Sequence, residues 1–239
     1  MEVINYLLGY NGYSIYQDTE MFNFSLDSVL LPNFVTINKN ITKILDIGCG
    51  NAPIPLILST KTDAEIIGVE IQEKVADLAK KSVKINNLEN QIKIINADVK
   101  TIYNQFETEN FDVITCNPPF FKISDNSKLN KNEYKTIARH EICLNLKDIF
   151  SIAKKLLKNN GVIGIVHRPE RLVDILNEMK NNNIEPKKIQ FIYPKINDEA
   201  NILLVEGRKN GKSGLKIMPP IYTHNGDGSY SEQIKKFFK

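Results

Sequence analysis

The residues with the plainest chemical purpose are Asn117-Pro118-Pro119-Phe120. Two consecutive prolines fix φ twice, and Pro119 steers Pro118 away from helical conformation. A loop so stiffened holds the Asn117 side chain and the Pro118 carbonyl in set directions. Two acceptors placed this way bind the two hydrogens of one planar NH2 group. Drawing both hydrogens to one side concentrates the nitrogen lone pair, which conjugation with a ring or carbonyl otherwise disperses. The chemistry served is attack by a weakly nucleophilic amine, assisted by orientation and electrostatic preorganisation. Phe120 adds a flat face on which a base can stack. The plain alternative is a proline-stiffened turn, which the tetrapeptide alone does not exclude.

Upstream, three carboxylates stand at the ends of short apolar runs: Asp46, Glu70 and Asp98. The stretch ILDIGCGNAPIPLIL (44–58) reads as a strand, a Gly-x-Gly turn and the start of a helix. Gly48 and Gly50 let the backbone turn sharply and approach a ligand with no Cβ in the way. A dinucleotide site would carry a third glycine where Pro53 stands, and Pro53 removes an amide donor that a pyrophosphate needs. Asp46, two residues before Gly48, suits instead the cationic sulfonium and amino-acid end of S-adenosylmethionine. The third small residue of that turn is Ala52. Glu70, 24 residues after Asp46, can accept ribose hydroxyls in either cofactor class. Asp98 can accept an adenine amine or simply cap a helix N-terminus.

The elements that must position these groups follow from periodicity. KILDI (43–47), EIIGVE (65–70), IKIINAD (92–98), FDVITCNPPF (111–120) and GVIGIVH (161–167) read as strands. Between them QEKVADLAKKSVKINN (72–87) and LKDIFSIAKKLLKNN (146–160) have helical spacing, the second ending at Gly161 as a C-cap. PERLVDILNEMKNNN (169–183) opens with proline at a first helical position. Strands separated by helices predict an α/β, doubly wound, mostly parallel sheet. KIQFIYP (188–194) and NILLVEG (201–207) are joined by six residues, too few for a crossover helix, and predict an antiparallel hairpin at one edge. Such a hairpin distinguishes the class I methyltransferase sheet, Rossmann-like otherwise, from the plain dinucleotide-binding one. The expected organisation is one domain: a capping segment (1–40), the core (41–207) and a basic extension (208–239).

These residues resemble the branch of class I methyltransferases that modify exocyclic amines, and above all the bacterial tRNA1(Val) (adenine-N6)-methyltransferases acting at position 37 of the anticodon loop. Besides DIGCG and NPPF, the resemblance rests on YSIYQDTEMFNFSLDSVLL (13–31), IARHEICLNL (137–146), HRPERLVDIL (167–176) and IQFIYP with EANILLVEG (189–207). It implies S-adenosylmethionine bound by Asp46, Gly48, Gly50, Asn51, Glu70, Ile71, Asp98, Val99 and Asn117. It implies the adenine amine held by Asn117, Pro118, Pro119 and Phe120, and tRNA as the partner. Phe24 and Asp27 are expected to close over the methionine part of the cofactor, or Asp27 to act as a helix N-cap.

Charge supports a nucleic-acid partner in a way the total conceals. The formal charge is only +3, yet residues 1–119 hold 9 Lys/Arg against 15 Asp/Glu, and residues 120–239 hold 22 against 13. The polar segment 121–139 reads as a loop beside the tetrapeptide. Lys122, Lys128, Lys131, Arg139, His140, Arg168, Arg171 and Lys212 are the candidates for phosphate contact. His167 lies at the same strand end.

Other chemistries fit less well. Cys49, Cys116 and Cys143 are odd in number and widely spaced, so neither a disulfide framework nor a metal site is expected. A nucleophilic cysteine suits carbon methylation, whereas the tetrapeptide points to nitrogen. Methylation of a protein glutamine amide uses the same tetrapeptide but goes with a helical substrate domain for which 40 residues leave little room; guanine-N2 methylation of rRNA is the nearest nucleic-acid alternative. A NAD-dependent dehydrogenase fails at Pro53, and a non-catalytic RNA-binding module leaves the tetrapeptide and three acids unexplained. No long uncharged apolar run and no cationic leader occur, so a cytoplasmic protein without a membrane span is expected.

Overall fold

Branched aliphatic runs separated by amphipathic stretches build the sheet that the periodicity predicts. The computed structural model describes residues 1–7, 10, 12–19, 25–118 and 144–238. An N-terminal hairpin, β1 (Glu2–Tyr6) and β2 (Ser14–Asp18), precedes helix α1 (Leu26–Phe34). The core then runs β3 (Lys43–Ile47), α2 (Pro53–Ser59), β4 (Glu65–Glu70), α3 (Glu73–Ile85), β5 (Ile92–Asn96), α4 (Val99–Ile102) and β6 (Phe111–Cys116). It continues with α5 (Leu146–Leu156), β7 (Leu157–His167), α6 (Leu172–Asn181), β8 (Ile184–Tyr193) and β9 (Ile202–Lys209). Two short strands, β10 (Lys216–Ile217) and β11 (Ile221–Tyr222), and helix α7 (Glu232–Lys235) complete the described chain.

The main sheet is ordered β10-β8-β9-β7-β6-β3-β4-β5, with β11 also paired to β8. Only β9 runs antiparallel to its neighbours β7 and β8. One face buries Val29, Leu30 and Leu31 of α1, Leu56 and Ile57 of α2 and Val83 of α3. The other buries Ile149 and Phe150 of α5 with Ile175 and Met179 of α6. Both faces are covered, which is why the central strands read as nearly continuous apolar runs.

Three boundaries differ from expectation. Helix α5 ends at Leu156 rather than running to Gly161, because Leu157 already pairs with Phe111 on β6 and the chain turns at Asn160 (φ +64°). Pro169 opens a 3-10 turn, and α6 itself starts at Leu172. The β8–β9 hairpin forms as expected, but it is not the outermost layer. The C-terminal extension lays β10 and β11 parallel along β8 and inserts Ile221 and Ile234 into the core on the α1 side. Two-residue strands carry too little alternation to be seen in a sequence.

Helix α1 is anchored firmly. Gly164 on β7 lets it approach: a Cβ there would lie 3.1 Å from Val35 Cγ2 and 3.3 Å from Leu31 Cδ1. Just beyond the helix, buried Glu206 accepts from Thr36 N (2.6 Å) and Thr36 Oγ1 (2.9 Å), and pairs with Lys188 Nζ at 2.9 Å. Lys188 also donates to Phe34 O at 2.9 Å, satisfying a carbonyl at the helix end.

Candidate active site

After β5 the chain returns to the far side of β3, so the order reverses between β3 and β6. Open α/β sheets bind ligands in the crevice at such a reversal, outside the carboxyl ends of the strands. The Gly-x-Gly turn lies there. Gly48 and Gly50 have φ of +69° and +56°, and nothing lies within 4 Å of where a Cβ would stand on either. Gly48 N and Cys49 N both donate to Val69 O, at 2.9 and 3.0 Å, strapping the turn to β4. Ala52 holds a left-handed φ of +73° at the start of α2, so Pro53 begins the helix.

Asp46 is fully buried. Its Oδ1 accepts the Thr115 hydroxyl at 2.6 Å, and its Oδ2 has no partner among the described residues. Burial, reinforced by the negative charge of Glu70 and opposed by the Thr115 hydrogen bond, pushes its carboxyl up to about 7. A buried acceptor without a donor is costly, and a ligand ammonium removes that cost. Glu70 accepts Gly50 N (3.1 Å) on one oxygen and Gln72 N (2.9 Å) on the other. A carboxylate offers about four acceptor sites, so capacity remains for two ribose hydroxyls. Asp98 caps α4 through Lys100 N at 2.9 Å, which occupies one of its oxygens. Beside them Ile71 is 41% exposed, and Asn96 Nδ2 holds the backbone around it through Glu70 O (2.9 Å) and Ile71 O (3.1 Å). Val99 is buried in the core beneath. A bare glycine cradle, an orphan buried carboxylate oxygen and a second acid with spare acceptors fit S-adenosylmethionine.

Just past β6, Asn117 Nδ2 donates to Ser28 Oγ of α1 at 3.2 Å. Pro118 is buried next to it. Pro119 and Phe120 lie outside the described residues, as do Phe22, Phe24 and the 121–139 segment. Ser25, not Asp27, occupies the N-cap position of α1, correcting the capping role considered for Asp27. Asp27 sits in the first turn, accepts Ser25 Oγ at 3.0 Å, and has its carboxyl raised by burial. Asn51 Nδ2 donates to Tyr16 O at 2.7 Å and ties the glycine turn to the N-terminal hairpin.

Both described cysteines, Cys49 and Cys116, are buried. Burial holds each thiol well above its ordinary range, so neither is a thiolate nucleophile. Cys49 serves packing, since a Cβ on Gly68 would lie 2.8 Å from its sulfur.

Of the candidate phosphate contacts, Arg168 and Arg171 stand just beyond the end of β7, on the site edge of the sheet. Arg168 Nη1 donates to Asn201 O at 2.7 Å, and Arg171 Nε to Asp174 at 2.8 Å. Arg168 N donates to His167 Nδ1 at 2.8 Å. Burial, with the two arginines, lowers His167 to about 4, leaving it neutral at ordinary pH. Lys212 lies between β9 and β10, at the opposite edge of the sheet, where its carbonyl accepts Lys187 Nζ at 3.0 Å. Lys122, Lys128, Lys131, Arg139 and His140 lie outside the described residues. Among the described residues no His/Cys/Asp/Glu group is arranged to hold a metal, and no helix is long and apolar enough to cross a membrane.

Two side chains that contact the candidate residues escaped the sequence reading. Thr115 meets Asp46 because the two stand opposite each other in the β3–β6 register, which strand order decides. Ser28 meets Asn117 across 89 residues, through the seating of α1.

Comparison with known proteins agrees with this geometry. A family model described as a methyltransferase domain matches residues 38–211. A protein of Flavobacterium psychrophilum named tRNA1(Val) (adenine(37)-N6)-methyltransferase is 27% identical over 217 residues, covering 84% of this chain and 91% of its own. One of Christiangramia forsetii with the same name is 28% identical and covers 96% of each chain. Among solved structures, an Agrobacterium tumefaciens protein described as a predicted O-methyltransferase superposes with TM-score 0.70 at 18% identity, covering 88% of this chain and 94% of that one. The tRNA m1G37 methyltransferase of M. jannaschii gives 0.57, also at 18% identity, covering 88% and 55%.

Proposed function

The chain belongs to the methyltransferase-domain family and has the class I fold, and from this premise we propose that it methylates the exocyclic N6 of an adenine in tRNA, at position 37 of the anticodon loop. The observation that carries the reading is the end of β6. Thr115 there is turned to the orphan acid Asp46, and Asn117, two residues on and on the same side of the strand, is tied to Ser28. One strand end thus serves both the methyl-donor pocket and the amine acceptor. The shared name of the relatives supports the choice of adenine and of tRNA.

When bound, S-adenosylmethionine supplies a methyl group on a sulfonium. Asp46 neutralises its cationic amino-acid end, Glu70 accepts the ribose hydroxyls, and Asp98 with Ile71 receives the adenine. Asn117 Oδ1 and the Pro118 carbonyl would accept the two hydrogens of the substrate amine and concentrate its lone pair for attack. The amine nitrogen would take the methyl group as the sulfonium departs as a thioether, and would then give up one of its two held hydrogens as a proton to water. No general base has to be ionised beforehand, because placement of the amine and the electrostatics of the acceptors carry the acceleration. An anticodon-loop purine is recognised largely outside a helical stack, so extruding it costs little. The expected setting is the cytoplasm, with tRNA as partner.

Incubation with methyl-labelled cofactor and separate pools of tRNA, rRNA, DNA and protein, followed by nucleoside analysis, tests the reading. N6-methyladenosine in the anticodon loop of tRNA is the expected product. Label confined to protein, or recovered as a guanine derivative, overturns it.

A further inference from the structure

We infer that Ser28 is a positioning residue that holds the Asn117 amide in its amine-accepting place before any ligand arrives, an inference that rests on the amine-methylating reading above. Asn117 follows the last residue of β6, beyond the end of its backbone pairing with β3 and β7. Its amide therefore needs an external hold. Ser28 supplies one, with Oγ 3.2 Å from Asn117 Nδ2. Ser28 is 5% exposed, so water does not compete readily for that bond. With Nδ2 committed to Ser28, the acceptor Oδ1 lies on the other arm of the planar amide, the arm that an incoming NH2 group requires.

The hold is useful only if α1 itself is fixed, and it is. Val29, Leu30 and Leu31 are buried on the sheet, the bare Cα of Gly164 lets the helix sit close, and Glu206 with Lys188 fastens its far end. Helix α1 is thus a wall of the site whose position does not depend on ligand contacts. A small misplacement of a reacting group costs up to about a hundredfold in rate. Ser28 therefore acts through Asn117 and touches no substrate atom in this scheme.

The test uses the full chain as wild type and as two variants of equal thermal stability, Ser28→Ala and Ser28→Thr. Nitrogen-15 spectra of the Asn117 side-chain amide, assigned by its loss in Asn117→Asp, give the first readout without any substrate. In wild type and Ser28→Thr one amide proton exchanges more slowly than its geminal partner; in Ser28→Ala the two exchange alike. Single-turnover methylation of tRNA under saturating cofactor gives the second. Ser28→Ala slows the step by about tenfold to a hundredfold, Ser28→Thr restores it, and cofactor affinity is unchanged in both. Indistinguishable amide exchange in wild type and Ser28→Ala, or an unaltered single-turnover rate, overturns the inference. A wild-type protein that methylates no tRNA sinks the substrate reading instead, and the amide spectra still decide the role of Ser28.

Discussion

Thr115 donates its hydroxyl to Asp46 at 2.6 Å across two adjacent parallel strands, where the two residues stand opposite each other in register. This bond satisfies only one oxygen of a carboxyl that has no access to water, and leaves the other waiting for a donor. Burial, opposed by that one bond, raises the carboxyl to about 7.

Cofactor affinity should therefore depend on pH in a defined direction. Asp46 lies at about 7, above its ordinary 3.8, and only its ionised form attracts a ligand ammonium. Affinity is constant above pH 7 and weakens by about tenfold per unit below it, the limit for a single linked proton. Calorimetric titration of S-adenosylhomocysteine between pH 5.5 and 8.5 measures this. Asp46→Asn should bind weakly at every pH with no such slope, and Thr115→Val should move the break to higher pH. A flat wild-type profile refutes the assignment.

Asn117→Ala should separate chemistry from binding. Removing one preorganised acceptor of the amine lowers the methylation rate by about a hundredfold to a thousandfold. Cofactor affinity, set by Asp46 and Glu70, should fall little. Comparable losses in both quantities would place Asn117 in the cofactor site instead.

Gly50→Ala should harm both stability and binding. At φ +56° a side chain costs about 1–2 kcal/mol, read as a lowered urea midpoint. Its methyl would stand in the open cradle, so cofactor affinity falls by more than the strain explains. Retention of full affinity would show that the cradle is not where the cofactor lies.

His167 makes the fold sensitive to acid. It lies at about 4 against an ordinary 6.5, so the unfolded chain takes up the proton first and stability is lost as pH falls from 6.5 toward 4. Asp46 acts oppositely over an overlapping range, since its raised value makes the unliganded fold less stable as pH rises from 3.8 to 7. The contribution of His167 is therefore read as the difference between wild type and His167→Gln, by urea unfolding at pH 7 and 4.5. The deficit of the variant relative to wild type should shrink or reverse at the lower pH.

Removing residues 212–239 is not a clean probe of RNA binding. The truncation strips β10 and β11 from β8 and takes Ile221 and Ile234 out of the core. Even Ile234→Ala should cost about 2–5 kcal/mol, the range for emptying a buried isoleucine site. Thermal unfolding checks this, and an unshifted midpoint would mean that the tail does not hold the fold.

What a sequence discloses here depends on how far apart the cooperating residues are. Asp46, Gly48 and Gly50 share one turn, and Glu70 and Asp98 end the next two strands or their exits, so local pattern and strand order suffice to gather them. Asn117 and Pro118 are legible for the same reason. Thr115 and Ser28 are ordinary residues in sequence, and only register and helix seating bring them to Asp46 and Asn117. Asn51 stands in the glycine turn by sequence, and its side chain also reaches for Tyr16, a contact that only the fold reveals. Lys212 joins the basic half in composition and yet sits at the edge of the sheet away from the site, because the chain has by then crossed the sheet along β9.

The bonds that seat the N-terminal elements also set an order of assembly. Ser14 and Tyr16 of the first hairpin bond to Asn86 and Ser82, 72 and 66 residues downstream, and Thr36 meets Glu206 across 170 residues. Closing loops of that length is slow and costs entropy before the contacts repay it. During synthesis the hairpin has no surface to dock on until α3 has emerged, and α1 lacks its anchor until β9 has. A nascent chain that ends before β9 thus carries the cofactor motif without the Glu206 anchor of the helix that holds Asn117.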